Sequence, residues 1–376
     1  MTTKYDLLPS PAYVCELELL ENNLKLLKRI QDETGVKILL ALKGFALWST
    51  FDICKKYLKG CCASGLNEAL LAHEKFGGEV HTYSPAFKES EFDQIVEISH
   101  HVVFNSFNQW QKFKHQTIGK TSAGLRVNPE YSSVEVDLYN PCSPFSRLGI
   151  TKKEFRSELL DGIEGLHFHA LCEQNVDALE EVLAAFEEKF GEFLPNMKWV
   201  NFGGGHHITR VDYNVMGLIN LLKNFKSRYP HLEIYLEPGE AVGWQTGPLV
   251  ATVLDIVHNG IDIAILDTSA EAHMPDTLAM PYRAAIRYSG YSGEKKYTYR
   301  LGGNTCLAGD TIGDYSFDEE LKIGQKIIFE DMIHYTIVKN TTFNGINLPS
   351  LVLEKNNGEF VVVKNFGYED YKQRLS

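Results

Sequence analysis

The chain has 376 residues, of which 44% are hydrophobic and 23% charged. At roughly 100–200 residues per domain that is more than one ordinary domain, and too apolar for a disordered chain. Lys+Arg 37 against Asp+Glu 49 gives a net charge of −12, which argues against a nucleic-acid backbone or an anionic membrane as main partner, since both repel an acidic surface. A cationic small molecule suits that sign. The seven cysteines are odd in number and lack the spacing of a zinc ribbon or a disulfide framework, so reduced thiols are expected. The opening Met-Thr-Thr-Lys-Tyr-Asp shows no basic segment followed by an apolar stretch, and no window reaches the ~18 apolar residues of a membrane span. A cytoplasmic location is the expectation.

In chain order, residues 13–16 are extended in character and precede the first helix. Short apolar or β-branched runs then follow at 37–43, 60–64, 80–84, 101–105, 123–128, 165–170, 199–205 and 233–237, with helical periodicity between them, as at 66–76 and 175–190. Eight βα units predict a closed (β/α)8 TIM barrel over an open doubly wound sheet, because no early Gly-x-Gly-x-x-Gly follows a strand. The interval between the fifth and sixth runs carries the turn-rich Asn140-Pro141-Cys142-Ser143-Pro144, suited to a lid or a substrate contact. After residue 243 the texture changes to strand-like stretches at 248–257, 297–301, 325–329 and 359–363, with no long helix. The predicted organisation is a barrel over 20–243 and a mostly antiparallel β domain from 1–19 and 244–376, into which 13–16 pairs.

Chemistry in such a barrel sits at the C-terminal ends of the strands. Lys43, Ser64, His169, the glycines Gly203, Gly204 and Gly205, and Glu237 all fall there. A lysine closing an apolar strand is ordinarily a solvated strand end, and a glycine triplet equally marks a turn or a phosphate cradle. Together, a lysine for a Schiff base, a glycine cradle and a carboxylate for a pyridine nitrogen suit pyridoxal 5'-phosphate. His167 and His169 raise a rival, since residues two apart on a strand share a face and His-x-His is metal-ligand spacing. A TIM-barrel metal-dependent hydrolase commonly carries that pair on its first strand, whereas here it falls on the sixth, so no metal is expected. His167 reads better as a core histidine and His169 as a ring stacked over a cofactor, with His206 and His207 as loop residues.

Several ordered motifs carry a resemblance: Ala41-Leu42-Lys43-Gly44, Cys62-Ala63-Ser64-Gly65 with Glu68, Arg126-Val127-Asn128-Pro129, Ser146-Arg147-Leu148-Gly149, Glu237-Pro238-Gly239-Glu240, Thr305-Cys306 with Asp310, Tyr335, and Phe343-Asn344-Gly345. With the histidine pair and glycine triplet, they resemble the fold-type III, alanine-racemase-like pyridoxal phosphate decarboxylases that act on ornithine, arginine and diaminopimelate. The resemblance implies a homodimer with shared active sites. In it Lys43 binds the cofactor covalently, His169 stacks on the ring, Glu237 meets the pyridinium nitrogen, and Tyr335 reaches the phosphate. Cys306, from the partner subunit, resembles the family's proton donor; the alternative is a buried structural thiol. Glu68 and Arg147 resemble a supporting ion pair.

Two departures bear on the substrate. Glu240 stands where relatives usually place an arginine facing the phosphate, and an anion there calls for a nearby cation. Leu307 replaces an acidic residue that meets a distal amine in some relatives. These departures, with Cys172-Glu173, fit the branch that converts carboxynorspermidine or carboxyspermidine to norspermidine or spermidine in polyamine biosynthesis. Glu240 and Asp276 are the expected contacts for the substrate's ammonium groups, although Asp276 equally suits a turn. The alternatives are decarboxylation of diaminopimelate, ornithine or arginine, and the metal-dependent hydrolase.

Overall fold

Both faces of the predicted strands are apolar because both are covered, and the computed structural model, which describes residues 3–376, shows why. The chain divides into two compact units, one of Glu21–Val242 and one formed by the chain up to Leu20 together with Gly243–Ser376. Strand β1 (Ala12–Glu16) belongs to the second unit. The next eight, β2 (Lys37–Ala41), β3 (Gly60–Ala63), β4 (Glu79–Tyr83), β5 (His101–Phe104), β6 (Ser122–Arg126), β7 (Ile163–His167), β8 (Trp199–Asn201) and β9 (Glu233–Leu236), close into a parallel barrel in which β9 returns to β2. Ile38, Leu39 and Leu40 are wholly buried, as strands enclosed by helices require.

The helices obey their own period. In Val176–Phe190 the residues Leu179, Val182, Leu183, Phe186 and Phe190 form the buried face, and Asn175 caps the start by accepting the Val176 N–H at 2.8 Å. Inside the barrel, Trp199 lies against Gly165 and Gly124, its neighbours in register across β7 and β6. A Cβ at Gly165 would come within 2.0 Å of the indole. His101 stacks between Trp199, at 4.5 Å, and His81, at 3.9 Å. Burial drives His101 down to about 2, so these rings act as neutral packing that fills the N-terminal part of the barrel.

The observed strands stop short of the apolar runs. β2 ends at Ala41 because its carbonyl accepts the N–H groups of both Gly44 and Phe45, at 3.0 and 3.2 Å, and so turns the chain. Lys43 therefore stands in a turn, two residues beyond the strand.

The second unit is a single sheet of β1, β10 (Leu249–His258), β11 (Asp262–Leu266), β12 (Tyr297–Gly302), β13 (Thr311–Phe317), β14 (Lys326–Phe329), β15 (Ser350–Glu354) and β16 (Phe360–Lys364). Its order is β13-β12-β11-β10-β1-β15-β16, with β14 also on β10. The pairs are antiparallel except β1 with β15 and β11 with β12. The opening strand thus joins the C-terminal sheet as expected. β11, β13 and β15 were not legible, and β13 shows why: Thr-Ile-Gly-Asp-Tyr-Ser-Phe contains no apolar run. Among the described residues no helix is long and apolar enough to cross a membrane.

Candidate active site

The polar residues at the C-terminal ends of the barrel strands form one connected network. Lys43 Nζ lies 3.4 Å from His169 Nε2. The Gly204 N–H donates to His169 Nδ1 at 2.8 Å, which leaves the proton of a neutral ring on Nε2. Solvent reaches the Lys43 side chain, yet the protein around it pushes its amine below the ordinary lysine value, and the Arg126 charge adds to this. His169 is held well below the ordinary histidine value by burial, then by Lys43 and Arg126. A lysine with a lowered pKa beside a neutral imidazole is a nucleophilic amine.

Glu237 follows β9 and accepts from Asn201 Nδ2 at 2.7 Å. Its other oxygen is 3.6 Å from His167 Nε2, and its side chain is 12% exposed. Burial pulls the carboxyl upward, but His167 and the Asn201 amide outweigh it and hold Glu237 at about 2. Burial itself keeps His167 below its ordinary value, so the hydrogen bond that geometry shows holding Glu237 low is the one from Asn201. Both His167 ring nitrogens are buried without a hydrogen-bond partner among the described residues.

The glycine triplet works differently from the expected cradle. The Gly203 N–H donates to Asn201 Oδ1 at 2.8 Å and the Gly204 N–H to His169, so both serve side chains of the site. Among the described residues only the Gly205 N–H of the three has no acceptor within the chain. Glycine is required here by close packing: a Cβ would come within 2.5 Å of the Phe168 oxygen at Gly203, 2.3 Å of the Glu237 oxygen at Gly204 and 2.1 Å of the Leu171 oxygen at Gly205.

His206 and His207 lie on the loop that follows β8, as expected, and both are buried there; His206 Nε2 meets the Gly203 oxygen at 3.1 Å, and burial lowers His206 to about 4. His207 Nε2 is 3.8 Å from Glu240 Oε1, and Glu173 joins them, the three ligand atoms lying within 4.8 Å of one another. Glu68 does not pair with Arg147: its carboxylate accepts the Ser64 N–H at 2.6 Å. The hydrolase reading loses its ligands, because His167 and His169 join no group of three potential metal ligands among the described residues.

Cys306, Tyr335 and Asp276 lie in the sheet unit. Cys306 is exposed, so it is not part of the core of its own unit. Asp276 is ion-paired with Lys339, so any substrate amine there shares that carboxylate. Arg126, singled out in the sequence only as part of a motif, donates to the His169 carbonyl at 3.0 Å and lies 4.7 Å above the Tyr83 ring; the residue that sequence reasoning missed is Asn201. The signal for Asn201 was its place at the end of β8, in register with Tyr235 and hence two residues from Glu237.

A buried carboxylate, an amine of lowered pKa and a neutral imidazole within one barrel define a site for an aldehyde cofactor with a ring nitrogen. The chain belongs to the pyridoxal-dependent decarboxylases: the family described as "Pyridoxal-dependent decarboxylase, C-terminal sheet domain" matches residues 12–333. It is 54% identical to the carboxynorspermidine/carboxyspermidine decarboxylase of Campylobacter jejuni, over 98% of this chain and 99% of that protein. It is 46% identical to the carboxyaminopropylagmatine decarboxylase of Synechocystis, over 98% of this chain and 96% of that one. The crystal structure of carboxynorspermidine decarboxylase from Campylobacter jejuni complexed with norspermidine superimposes with a TM-score of 0.92 at 53% identity, covering 98% of this chain and all of that one.

Pyridoxal phosphate is the cofactor of this family, and the residues present fit it. The Lys43 amine is reachable, Glu237 is ionised, and the Gly205 N–H is unspent among the described residues.

Proposed function

We propose that this chain decarboxylates a carboxylated polyamine, carboxynorspermidine or carboxyspermidine, to the corresponding triamine. The near full-length identity to the Campylobacter jejuni enzyme carries this reading. The site's chemistry supports it. Lys43 would hold the cofactor covalently, and His169 and Glu237 would hold its ring, Glu237 supplying a carboxylate. The Gly205 N–H and Tyr335 are assigned to the phosphate, with Gly203 and Gly204 shaping the same turn. The cofactor supplies an electron sink for the charge left as CO2 departs. Cys306 returns a proton to that carbon.

Glu240 stands beside Glu173 and His207 in a cluster that favours a cation. The two carboxylates and the imidazole, with their ligand atoms within 4.8 Å of one another, can surround a substrate ammonium. Asp276 is a second, shared contact. Glu240→Gln is expected to raise KM for carboxynorspermidine by about tenfold or more, as loss of a charged hydrogen bond of ~1.5–3 kcal/mol requires, with little change in cofactor affinity. Steady-state kinetics on carboxynorspermidine, carboxyspermidine and diaminopimelate check this. Unchanged KM removes Glu240 from the substrate site, and preference for diaminopimelate overturns the substrate assignment.

We further propose a cytoplasmic homodimer in which Cys306 serves the site containing Lys43 of the other subunit. Lys43→Ala and Cys306→Ala homodimers are each expected to be near background. In a random mixture half the dimers are mixed, and each carries one intact site, so about one quarter of wild-type activity should return. Mixed dimers that only average the parental activities would place both residues in one chain.

A further inference from the structure

Cys306 is exposed on the loop that joins β12 to β13, and an exposed loop thiol ordinarily samples many directions. Here the backbone around it is tied from two sides by side chains with no assigned role. Asp310 is only 5% exposed and pairs with no cation among the described residues. Its carboxylate accepts from Ser269 Oγ at 2.9 Å, Ala270 N at 2.8 Å and Glu271 N at 3.3 Å. It also accepts from Thr305 N at 3.2 Å and Thr305 Oγ1 at 2.7 Å. Five donors offset the cost of burying the charge. They also bind the turn before Cys306 to the Ser269–Glu271 segment. Gly303 passes so close that a Cβ would come within 2.2 Å of Asp310 Oδ2.

The second tie falls on Cys306 itself. Its N–H donates to Asn344 Oδ1 at 2.6 Å. Asn344 reaches it from a turn in which its own φ is +56°, the left-handed region that asparagine and glycine tolerate best. Thr305 is thus held by Asp310 and Cys306 by Asn344, although the two acceptors come from separate segments.

We propose that Asp310 and Asn344 are positioning residues for Cys306: their two side-chain acceptors clamp the Thr305–Cys306 backbone and so set the direction from which the thiol delivers its proton. This rests on Cys306 being the proton donor, and the test separates the two claims.

Asn344→Gly removes the acceptor at a φ that glycine adopts freely, so the fold and melting temperature should be kept; Asn344→Asp retains the acceptor and should act as wild type. In holoenzyme carrying Asn344→Gly, exchange of the Cys306 amide should quicken by about tenfold or more, since its hydrogen bond is lost. With carboxynorspermidine, kcat should fall by about 10- to 100-fold, the usual penalty for an ångström-scale misplacement, while KM stays within about twofold. In D2O the wild type should place deuterium on one face of the carbon that lost CO2, and Asn344→Gly on both. Asp310→Asn should repeat this pattern if it folds.

If Asn344→Gly matches wild type in amide exchange, or in kcat and labelling while Cys306→Ala is impaired, the clamp is overturned and the proton-donor reading stands. If Cys306→Ala itself keeps wild-type kcat and single-face labelling, both are overturned. A change confined to KM would assign Asn344 to substrate binding and overturn the clamp.

Discussion

Lys43→Ala is expected to abolish decarboxylation and the borohydride-reducible link between protein and cofactor. The amine at this position is lowered in pKa by the protein around it and by Arg126, so an unusual fraction is unprotonated and nucleophilic. Among the described residues no second lysine shares the network of His169, Asn201 and Glu237. Residual cofactor bound without a covalent link would agree with the assignment, because the ring and phosphate contacts remain. Mass spectrometry after borohydride reduction reads the result directly. A reduced adduct at wild-type yield in Lys43→Ala would place the attachment on another residue.

Glu237→Gln is expected to lower kcat by on the order of 10²- to 10³-fold, the range seen when one preorganised electrostatic group is removed from a catalytic site. The variant is nearly isosteric, so the loss reports charge and not shape. A folded-state value of about 2, below the ordinary 4.5, makes Glu237 a carboxylate at every working pH. The sign of the stability effect follows. A depressed carboxyl contributes stability above its unfolded value, and that contribution is lost as pH falls from about 4.5 towards about 2. The stability gap between wild type and Glu237→Gln should therefore narrow with acidification in that window. Denaturant titrations at pH 6 and pH 3 would measure it. A gap that stays constant would show that Asn201 and His167 do not hold the carboxyl low.

The cofactor site was legible because its residues fall at strand ends, where a continuous apolar run stops abruptly. Lys43, His169 and Glu237 each break such a run, and their company on one barrel rim pointed to a cofactor before any contact was visible. The sheet unit was less legible: β1, β10, β12, β14 and β16 were read as extended or strand-like stretches, while β13, Thr-Ile-Gly-Asp-Tyr-Ser-Phe, has no apolar run to mark it.

By itself, the sequence determined the barrel, the capturing of the opening strand by the C-terminal sheet, and the chemical identity of the site's main groups, because periodicity and residue type are local properties. Only the tertiary structure decided what the glycine triplet does. Its first two N–H groups are turned on Asn201 and His169, a choice set by how β7, β8 and β9 pack at their ends and invisible in a Gly-Gly-Gly string. The same holds for His207, a loop residue whose burial against Glu240 no local pattern shows, and for Glu68, which bonds the Ser64 backbone in place of Arg147. Residues far apart in the chain meet only when side chains pack, and the charge, tautomer and direction of each group depend on that meeting.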